Sequence, residues 1–301
     1  MPKYTDKTNI SDKDINFYIV TSVKGGCGKS SVSFDLAYRK KDACIIDMDI
    51  LGSTWALLSP MKGQKFIKDI HTTNDIISKL IWKKDINGKK ISIIMNSNET
   101  KEKFNYLNQI YNANTPEIET GIFKNIIIHL IEYLINNGYK NLIFDMPPSF
   151  DLYSGPLFNY LCKYGTKIET ELPLKLNFIL VSPVTRIGVN SIYDWLYGYF
   201  YYPKNFSYVT DIKKINIEVF FVDLFNIGAL GLNLIDTLKE AIDNKIVGFN
   251  TPVLSDKNIK NYLVDFSFSW YRIANQEIPI EDFQPFITNT LDKKDEYEQD
   301  V

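Results

Sequence analysis

The sequence has few cysteines and no long apolar run. Cys27, Cys44 and Cys162 are the three cysteines among 301 residues, and no two have the short spacing of a metal knuckle, an iron–sulfur site or a redox dithiol. The longest apolar-rich run, 126–135, contains a histidine and a glutamate and is too short to span a bilayer. The first residues also lack the apolar stretch of a secretion signal. We therefore expect a protein of a reducing, cytoplasmic compartment that does not associate with membranes.

The sequence also lacks an excess of charge of either sign. Its 34 basic residues nearly balance 36 acidic ones, which gives a formal net charge of -2. The chain as a whole therefore has no polyanion-binding character, and contact with nucleic acid would need a local patch or an oligomer. A hydrophobic content of 45% with 14% aromatics is ample for the buried core of a folded protein.

Short apolar runs alternate with segments of helical apolar spacing along most of the chain. The predicted strands are 16–22, 43–46, 91–95, 141–144, 175–181, 219–222 and 246–249, and the predicted helices are 30–40, 122–135, 189–199, 232–244 and 257–266. This alternation predicts an α/β fold with a doubly wound, mostly parallel sheet flanked by helices. We expect one domain over 15–275, an N-terminal extension over 1–14, and a C-terminal extension with an acidic tail over 276–301.

A glycine-rich loop connects the first predicted strand to the first predicted helix. Its sequence is Lys24-Gly25-Gly26-Cys27-Gly28-Lys29-Ser30-Ser31. Glycines at this position let backbone N–H groups point at a phosphate, at the positive end of the helix dipole. Lys29 would reach the β- and γ-phosphates and the Ser30 hydroxyl would bind Mg²⁺ as in the general P-loop motif, although valine stands where that motif begins with glycine. The alternative is a glycine-rich turn unrelated to nucleotide.

Three aspartates lie at the ends of predicted strands. Asp47 and Asp49 follow the second strand, and Asp145 ends the strand that precedes Pro147 and Pro148. Phosphoryl transfer to water needs charge neutralisation and an aligned nucleophile, so such carboxylates would divide between a metal and the attacking water. Aspartate is also an ordinary cap of strand ends, and this alternative stays open for all three.

These motifs resemble one family of nucleotide-binding proteins. The loop from Lys24 to Ser30 is similar to the deviant Walker A signature of the family that includes ParA, MinD, Mrp-type carriers, the nitrogenase iron protein and the arsenite-pump ATPase. The segment 47–53 resembles that family's D-x-D-x-x-G-x motif, and 142–149 resembles its Walker B strand followed by D-x-P-P. The resemblance covers about residues 15–270, and the branch of ParA-like partition and positioning ATPases is the most similar.

The resemblance implies ATP and Mg²⁺ as cofactors and a role for each residue of the loop and the acidic motifs. Lys24 would cross a dimer interface to the nucleotide of the other subunit, and Lys29 would act on the bound phosphates. Asp145 would hold Mg²⁺ through a water molecule, Asp47 would support the outer shell of the metal, and Asp49 would orient the attacking water.

Contacts to the adenine base are less clearly marked in the sequence. The resemblance points to Asp223, where relatives often carry asparagine, and to the segment 249–252, which ends at Pro252. The alternative, that both are ordinary loop residues, has equal weight.

By resemblance, the chain is expected to be a homodimeric switch that hydrolyses ATP slowly, with stimulation by a partner protein, and acts in DNA partition or cargo positioning. The absence of a paired-cysteine cluster site and of an apolar face in the tail sets aside the iron-protein, Mrp and MinD branches. Nonspecific DNA binding would use basic side chains that equally fit a solvated face, namely Lys204, Lys213, Lys214, Lys257, Lys260 and Arg272.

The alternative function is an ATP-dependent regulatory or scaffold protein that binds a protein partner and no DNA. The candidate docking region would be the aromatic run from Tyr193 to Tyr208. Aromatic residues are frequent in protein interfaces, but they serve core packing as well, and the sequence favours the core for this run.

Overall fold

The computed structural model describes the central sheet and the elements that pack on it. The described residues are 15–49, 55, 77–78, 80–95, 128–148, 174–185, 187–188, 191–192, 215–223, 259–265, 268–285 and 288–290. Within these ranges, no helix combines the length and the apolar character that crossing a membrane requires.

Nine strands within the described ranges form one sheet. They are β1 Ile15–Ser22, β2 Ala43–Asp47, β3 Ile81–Ile86, β4 Lys89–Ile94, β5 Asn141–Asp145, β6 Leu174–Pro183, β7 Ile215–Asp223, β8 Ile259–Asp265 and β9 Thr288–Thr290. Their order is β3-β4-β2-β5-β1-β6-β7-β8-β9. The pairs β3 with β4 and β8 with β9 are antiparallel, and the other neighbouring pairs are parallel. The predicted fold class, a doubly wound and mostly parallel sheet, is confirmed.

The central strands are buried, and helix α1 packs against them. All five residues of β2 and of β5 are buried. Helix α1, Lys29–Arg39, buries Val32, Phe34 and Ala37 and contacts β1, β2, β4 and β5. Burial of such side chains contributes about 1.5–3 kcal/mol for each large one. The start of α1, which is the end of the glycine-rich loop, is thereby fixed against the middle of the sheet.

The described part of helix α2 is 128–136, and the helix ends as its sequence predicts. Gly138 has a φ of 87°. Its N–H donates to the carbonyl of Ile135 at 3.0 Å, and the Tyr139 N–H donates to that of Leu134 at 3.1 Å. This pair of bonds is the Schellman arrangement, in which glycine takes the left-handed conformation directly after the helix.

The C-terminal part of the described chain packs on α1. Helix α3 spans Phe268–Ala274, and a short 3₁₀ turn follows at Ile280–Asp282. Rings from these two regions and that of Trp55 form what we call the aromatic cluster, which consists of Phe34, Tyr38, Trp55, Trp270 and Phe283. Ring pairs at these separations add about 0.5–1.5 kcal/mol each beyond the area they bury.

Several features of the fold differ from the sequence prediction, and neither helix α3 nor strand β9 is predicted. The helix predicted at 257–266 is wrong, because Ile259–Asp265 forms β8 and pairs in parallel with β7. This apolar run is too short for its periodicity to distinguish a buried strand from a helix. It forms a strand because it pairs along the edge of β7. The strand β3 is not predicted, although Asn87 and Gly88, with φ of 54° and 78°, form the type I′ turn that joins it to β4.

The other predicted strands and helices are confirmed where the structure describes them, with ends that shift by a few residues. Strand 246–249 and helix 232–244 lie outside the described residues, as do the run from Tyr193 to Tyr208 and most of the basic candidates. In the helix predicted at 189–199, residues 191 and 192 are described and are helical.

Candidate nucleotide-binding site

The glycine-rich loop lies at the carboxyl end of β1, between β1 and α1. β1 is flanked by β5 on one side and by β6 on the other, and all three run parallel. In open α/β sheets, ligands bind outside the carboxyl ends of the central strands, where the connections diverge to either side. The loop is therefore in the position that this type of sheet offers for a ligand.

Two glycines give the loop a conformation that other residues rarely adopt. Gly26 and Gly28 have φ of 76° and 92°. Gly28 is also the N-cap of α1, with no side-chain cap bond, and its carbonyl accepts the N–H of Val32 at 3.0 Å and the Ser31 hydroxyl at 2.7 Å. The N–H groups of the first turn of α1 are oriented by the helix itself and form a typical binding position for an anion.

The two lysines of the loop have opposite environments. Lys29, at the start of α1, is only 7% exposed. Lys24 is exposed, while its backbone carbonyl accepts a hydrogen bond from the Ser22 hydroxyl at 2.6 Å. The loop therefore turns one ammonium group inward, toward the ends of the strands, and leaves the other on the surface.

Neighbouring segments hold the loop on both sides. A Cβ placed on Gly25 would lie 3.9 Å from the ring of Pro148, and one placed on Gly28 would lie 3.7 Å from Val222 at the end of β7. The Thr21 hydroxyl donates to the carbonyl of Pro147 at 3.3 Å. The glycine-rich loop and the segment that follows Asp145 are thus packed together.

Asp145 is a buried carboxylate beside this loop, 1% exposed. Its Oδ2 accepts a hydrogen bond from Trp55 Nε1 at 2.7 Å. Its Oδ1 has no partner of good hydrogen-bond geometry among the described residues. Burial raises the pKa of Asp145, and the nearby groups of Lys29, Ser30 and Trp55 oppose that rise.

Asp47 and Asp49 form a turn next to Asp145. Asp47 is fully buried and is the register partner of Asp145 on the adjacent strand. The Asp49 N–H donates to Asp47 Oδ1 at 3.1 Å, so Asp47 caps the end of its own strand. The Asp49 carboxylate is close enough to raise the pKa of Asp145 further. The three carboxylates are therefore brought together at the carboxyl edge of the sheet.

Of the remaining candidate nucleotide-binding residues, two are buried and one lies outside the described residues. Cys27 is 2% exposed, and burial raises the pKa of its thiol, with Lys29 opposing the rise. Asp223, 2% exposed, ends β7 directly after the valine that packs against Gly28. Pro252 lies outside the described residues.

Trp55 is the residue of this site that the sequence does not mark. It lies two residues beyond the segment 47–53, and no motif assigns a polar role to that position. In the structure it is fully buried, and its indole is the hydrogen-bond donor to Asp145. The nearest sequence signal is that a buried tryptophan needs an acceptor for its N–H.

A separate cavity of about 550 Å³ lies against α3 and the 3₁₀ turn. Asn87, Arg272 and Phe283 are among its lining residues, and none of the lining residues belongs to the glycine-rich loop or the acidic motifs. The cavity is therefore a different place from the site described above.

Comparison with solved structures finds proteins to which this chain is similar. A variant of McdA from Cyanothece in complex with ATP aligns with a TM-score of 0.56 and 14% identity, over 89% of this chain and 89% of that one. MinD of Aquifex aeolicus aligns with a TM-score of 0.47 and 13% identity, over 88% of each chain. No family model matches the chain, and no curated protein does. The chain thus has the same fold as McdA.

Proposed function

We propose that this protein binds ATP with Mg²⁺ and hydrolyses it, and that it works as a dimeric switch of the ParA type. The observation that carries the proposal is the environment of Asp145. Its buried Oδ1 lacks a hydrogen-bond partner among the described residues. Ser30 and the inward-facing Lys29 lie near the same carboxylate. A buried carboxylate oxygen without a hydrogen bond is costly, and a cation at that position would reduce the cost. McdA, which has this fold, was solved in complex with ATP.

Asp145 at the end of β5 and Ser30 at the start of α1 fit Mg²⁺ by their chemistry. Mg²⁺ in nucleotide sites is held by one or two carboxylates together with phosphate oxygens and water. The Asp145 carboxylate and the Ser30 hydroxyl are both oxygen donors, and they are near enough for Ser30 to lower the pKa of Asp145. When bound, the metal would neutralise charge on the β- and γ-phosphates.

The residues around the phosphates would divide the remaining work. The first-turn N–H groups of α1 and the Lys29 ammonium would bind phosphate oxygens, with Gly25, Gly26, Cys27, Gly28 and Ser31 completing the backbone of the loop. Asp49, which is only partly buried, would orient the attacking water. Asp47 would hold the turn on which Asp49 stands, through its bond to the Asp49 N–H.

Dimer formation is supported by the contrast between the two loop lysines. Lys29 is almost fully buried within its own subunit, whereas Lys24 is exposed on the surface of the loop. An exposed cation at a phosphate site can reach a nucleotide held by a second copy of the chain. This arrangement would make closure of the dimer dependent on ATP.

The function of the switch would be the positioning of DNA or of another cargo, with a partner protein that stimulates hydrolysis. Among the basic candidates for DNA contact, Arg272 lies on α3 and its Nε is 3.4 Å from the Glu277 carboxylate, while Lys260 lies in β8. The alternative is a scaffold protein that binds a partner and no DNA. DNA binding measured with and without ATP decides between them, since ATP-dependent binding that weakens with salt supports the first function.

Calorimetry with the folded protein tests the central part of this proposal. We expect Mg-ATP to bind with measurable heat, and the Lys29→Ala protein to lose more than about tenfold in affinity because a charge-assisted contact is removed. No heat of association at millimolar Mg-ATP would contradict the proposal. Sedimentation of the Asp49→Ala protein, which should bind ATP without hydrolysing it, then tests the dimer, because a monomer at saturating ATP would exclude it.

A further inference from the structure

The indole of Trp55 fixes one oxygen of Asp145 in a dry environment. Trp55 Nε1 donates to Asp145 Oδ2 at 2.7 Å, and the two residues are 0% and 1% exposed. A short hydrogen bond to a carboxylate is stronger than one between neutral groups, and exclusion of water strengthens it. Because Oδ2 is engaged in this way, Oδ1 is the oxygen left for another ligand.

The packing of Trp55 keeps its N–H in place. The Trp55 ring lies 5.9 Å from that of Phe34 and 5.2 Å from that of Trp270, measured between centroids. Phe34 stands on α1, five residues after Lys29, and is itself fully buried. Rotation of the indole away from Asp145 would therefore require displacement of rings that belong to the core.

We propose that Trp55 is a positioning residue that holds the Asp145 carboxylate in the orientation required for Mg²⁺ binding, with Oδ2 anchored and Oδ1 facing the loop. This inference rests on the proposed function, because the metal is part of that proposal. An indole N–H is a donor only, so Trp55 neither binds the cation nor accepts a proton. Residues that orient a metal-binding carboxylate affect metal affinity by about 10- to 100-fold when they are changed.

A purely structural role for Trp55 makes a different prediction. In that case Asp145 merely accepts the N–H of a buried ring, and the ring contributes through its packing alone. Replacement of Trp55 by Phe retains an aromatic ring and removes the donor. Trp270→Phe is the matched control, because it makes the same change in the same aromatic cluster.

The hydrogen bond can be tested in the nucleotide-free protein. Labelling with ¹⁵N-tryptophan gives four indole signals, one for each tryptophan. We expect one indole proton to be shifted downfield by the short bond, and this signal to be absent from Trp55→Phe and to move upfield in Asp145→Asn. The Asp145→Asn comparison needs no change at Trp55. An unchanged set of indole signals in Asp145→Asn would overturn the inference.

Magnesium titration of ATP affinity tests the positioning role. We expect Trp55→Phe to need about 10- to 100-fold more Mg²⁺ for half-maximal tightening of ATP binding, with unchanged affinity for ATP in EDTA. Trp270→Phe should retain the wild-type midpoint. A wild-type midpoint in Trp55→Phe, or an equal shift in both variants, would overturn the positioning role alone. If the wild-type protein shows no effect of Mg²⁺ on ATP binding, the proposed function fails as well.

Discussion

Asp47 and Asp145 are register partners at the carboxyl ends of two adjacent parallel strands. The Met48 N–H donates to the carbonyl of Asp145 at 2.9 Å, so the turn after β2 is tied to the end of β5. Asp47 Oδ1 accepts a hydrogen bond from the Asp49 N–H in its own turn, whereas Asp145 Oδ1 has no hydrogen-bond partner in the described part of the chain. The two aspartates occupy matching positions but differ in their hydrogen bonding, and the first prediction depends on this difference.

Replacement of Asp145 by Asn should stabilise the nucleotide-free protein and abolish its response to Mg²⁺. The pKa of Asp145 is raised from its ordinary value of 3.8 because burial disfavours the charged form. The folded state therefore binds the Asp145 proton more tightly than the unfolded state does. The stability that protonated Asp145 contributes is lost as the pH rises from 3.8 through the higher pKa of the folded state. Asn removes that dependence.

Thermal unfolding of both proteins between acidic and neutral pH measures the effect. The difference in melting temperature in favour of Asp145→Asn should grow as pH rises through that interval. Equal pH dependence of the two proteins would contradict the prediction.

Replacement of Gly28 by Ala should impair both folding stability and nucleotide binding. Its φ of 92° strains any other residue, and the added Cβ would lie 3.2 Å from the Ser31 hydroxyl. The left-handed conformation alone costs a non-glycine residue about 1–2 kcal/mol.

Gly138→Ala is the matched control for this change. Gly138 has a similar φ of 87°, and nothing lies within 4 Å of the added Cβ. It should lose a comparable amount of stability in denaturant unfolding but keep wild-type ATP affinity. A loss of ATP affinity in Gly138→Ala would show that general destabilisation, rather than the loop, governs binding.

The Lys24→Ala protein should bind Mg-ATP with nearly wild-type affinity and fail to dimerise. Lys24 is exposed on the surface of the loop, so its removal leaves the inward-facing contacts of Lys29 intact. Calorimetry measures the affinity, and sedimentation with and without ATP measures the assembly state. Wild-type dimerisation of Lys24→Ala would exclude the contact across subunits.

Replacement of Phe283 by Ala should destabilise the protein by about 3–5 kcal/mol, the usual cost of removing a buried ring. Phe283 is 2% exposed, and its ring lies 4.6 Å from that of Phe34. Tyr271→Ala is the control, since Tyr271 is 50% exposed on α3. Urea unfolding compares the two, and similar losses would mean that Phe283 is not part of the core.

The sequence predicts those parts of the fold and site that depend on local chemistry. The loop from Lys24 to Ser31 is recognisable because glycines, lysines and a hydroxyl act through their own backbone and side chains. Asp47 and Asp145 are recognisable because carboxylates at strand ends meet at one edge of a parallel sheet. These features need no knowledge of which strands are neighbours.

The features that the sequence does not predict depend on distant contacts. Trp55 and Asp145 are 90 residues apart, and their bond exists only because α1, α3 and the sheet bring them together. The strand Ile259–Asp265 resembles a helix segment until β7 offers an edge for pairing. The Asn87-Gly88 turn, in contrast, has a local signal that the prediction overlooked.

The pairing of β1 has a consequence for how the chain folds during synthesis. β1 is the first strand in the described part of the chain, yet its two neighbours are Asn141–Asp145 and Leu174–Pro183. The glycine-rich loop that follows β1 therefore cannot be held between these neighbours until Leu174–Pro183 has emerged from the ribosome. Contacts of such long sequence separation form slowly. A ligand of this loop would therefore bind the nascent chain only after the middle of the sheet has assembled.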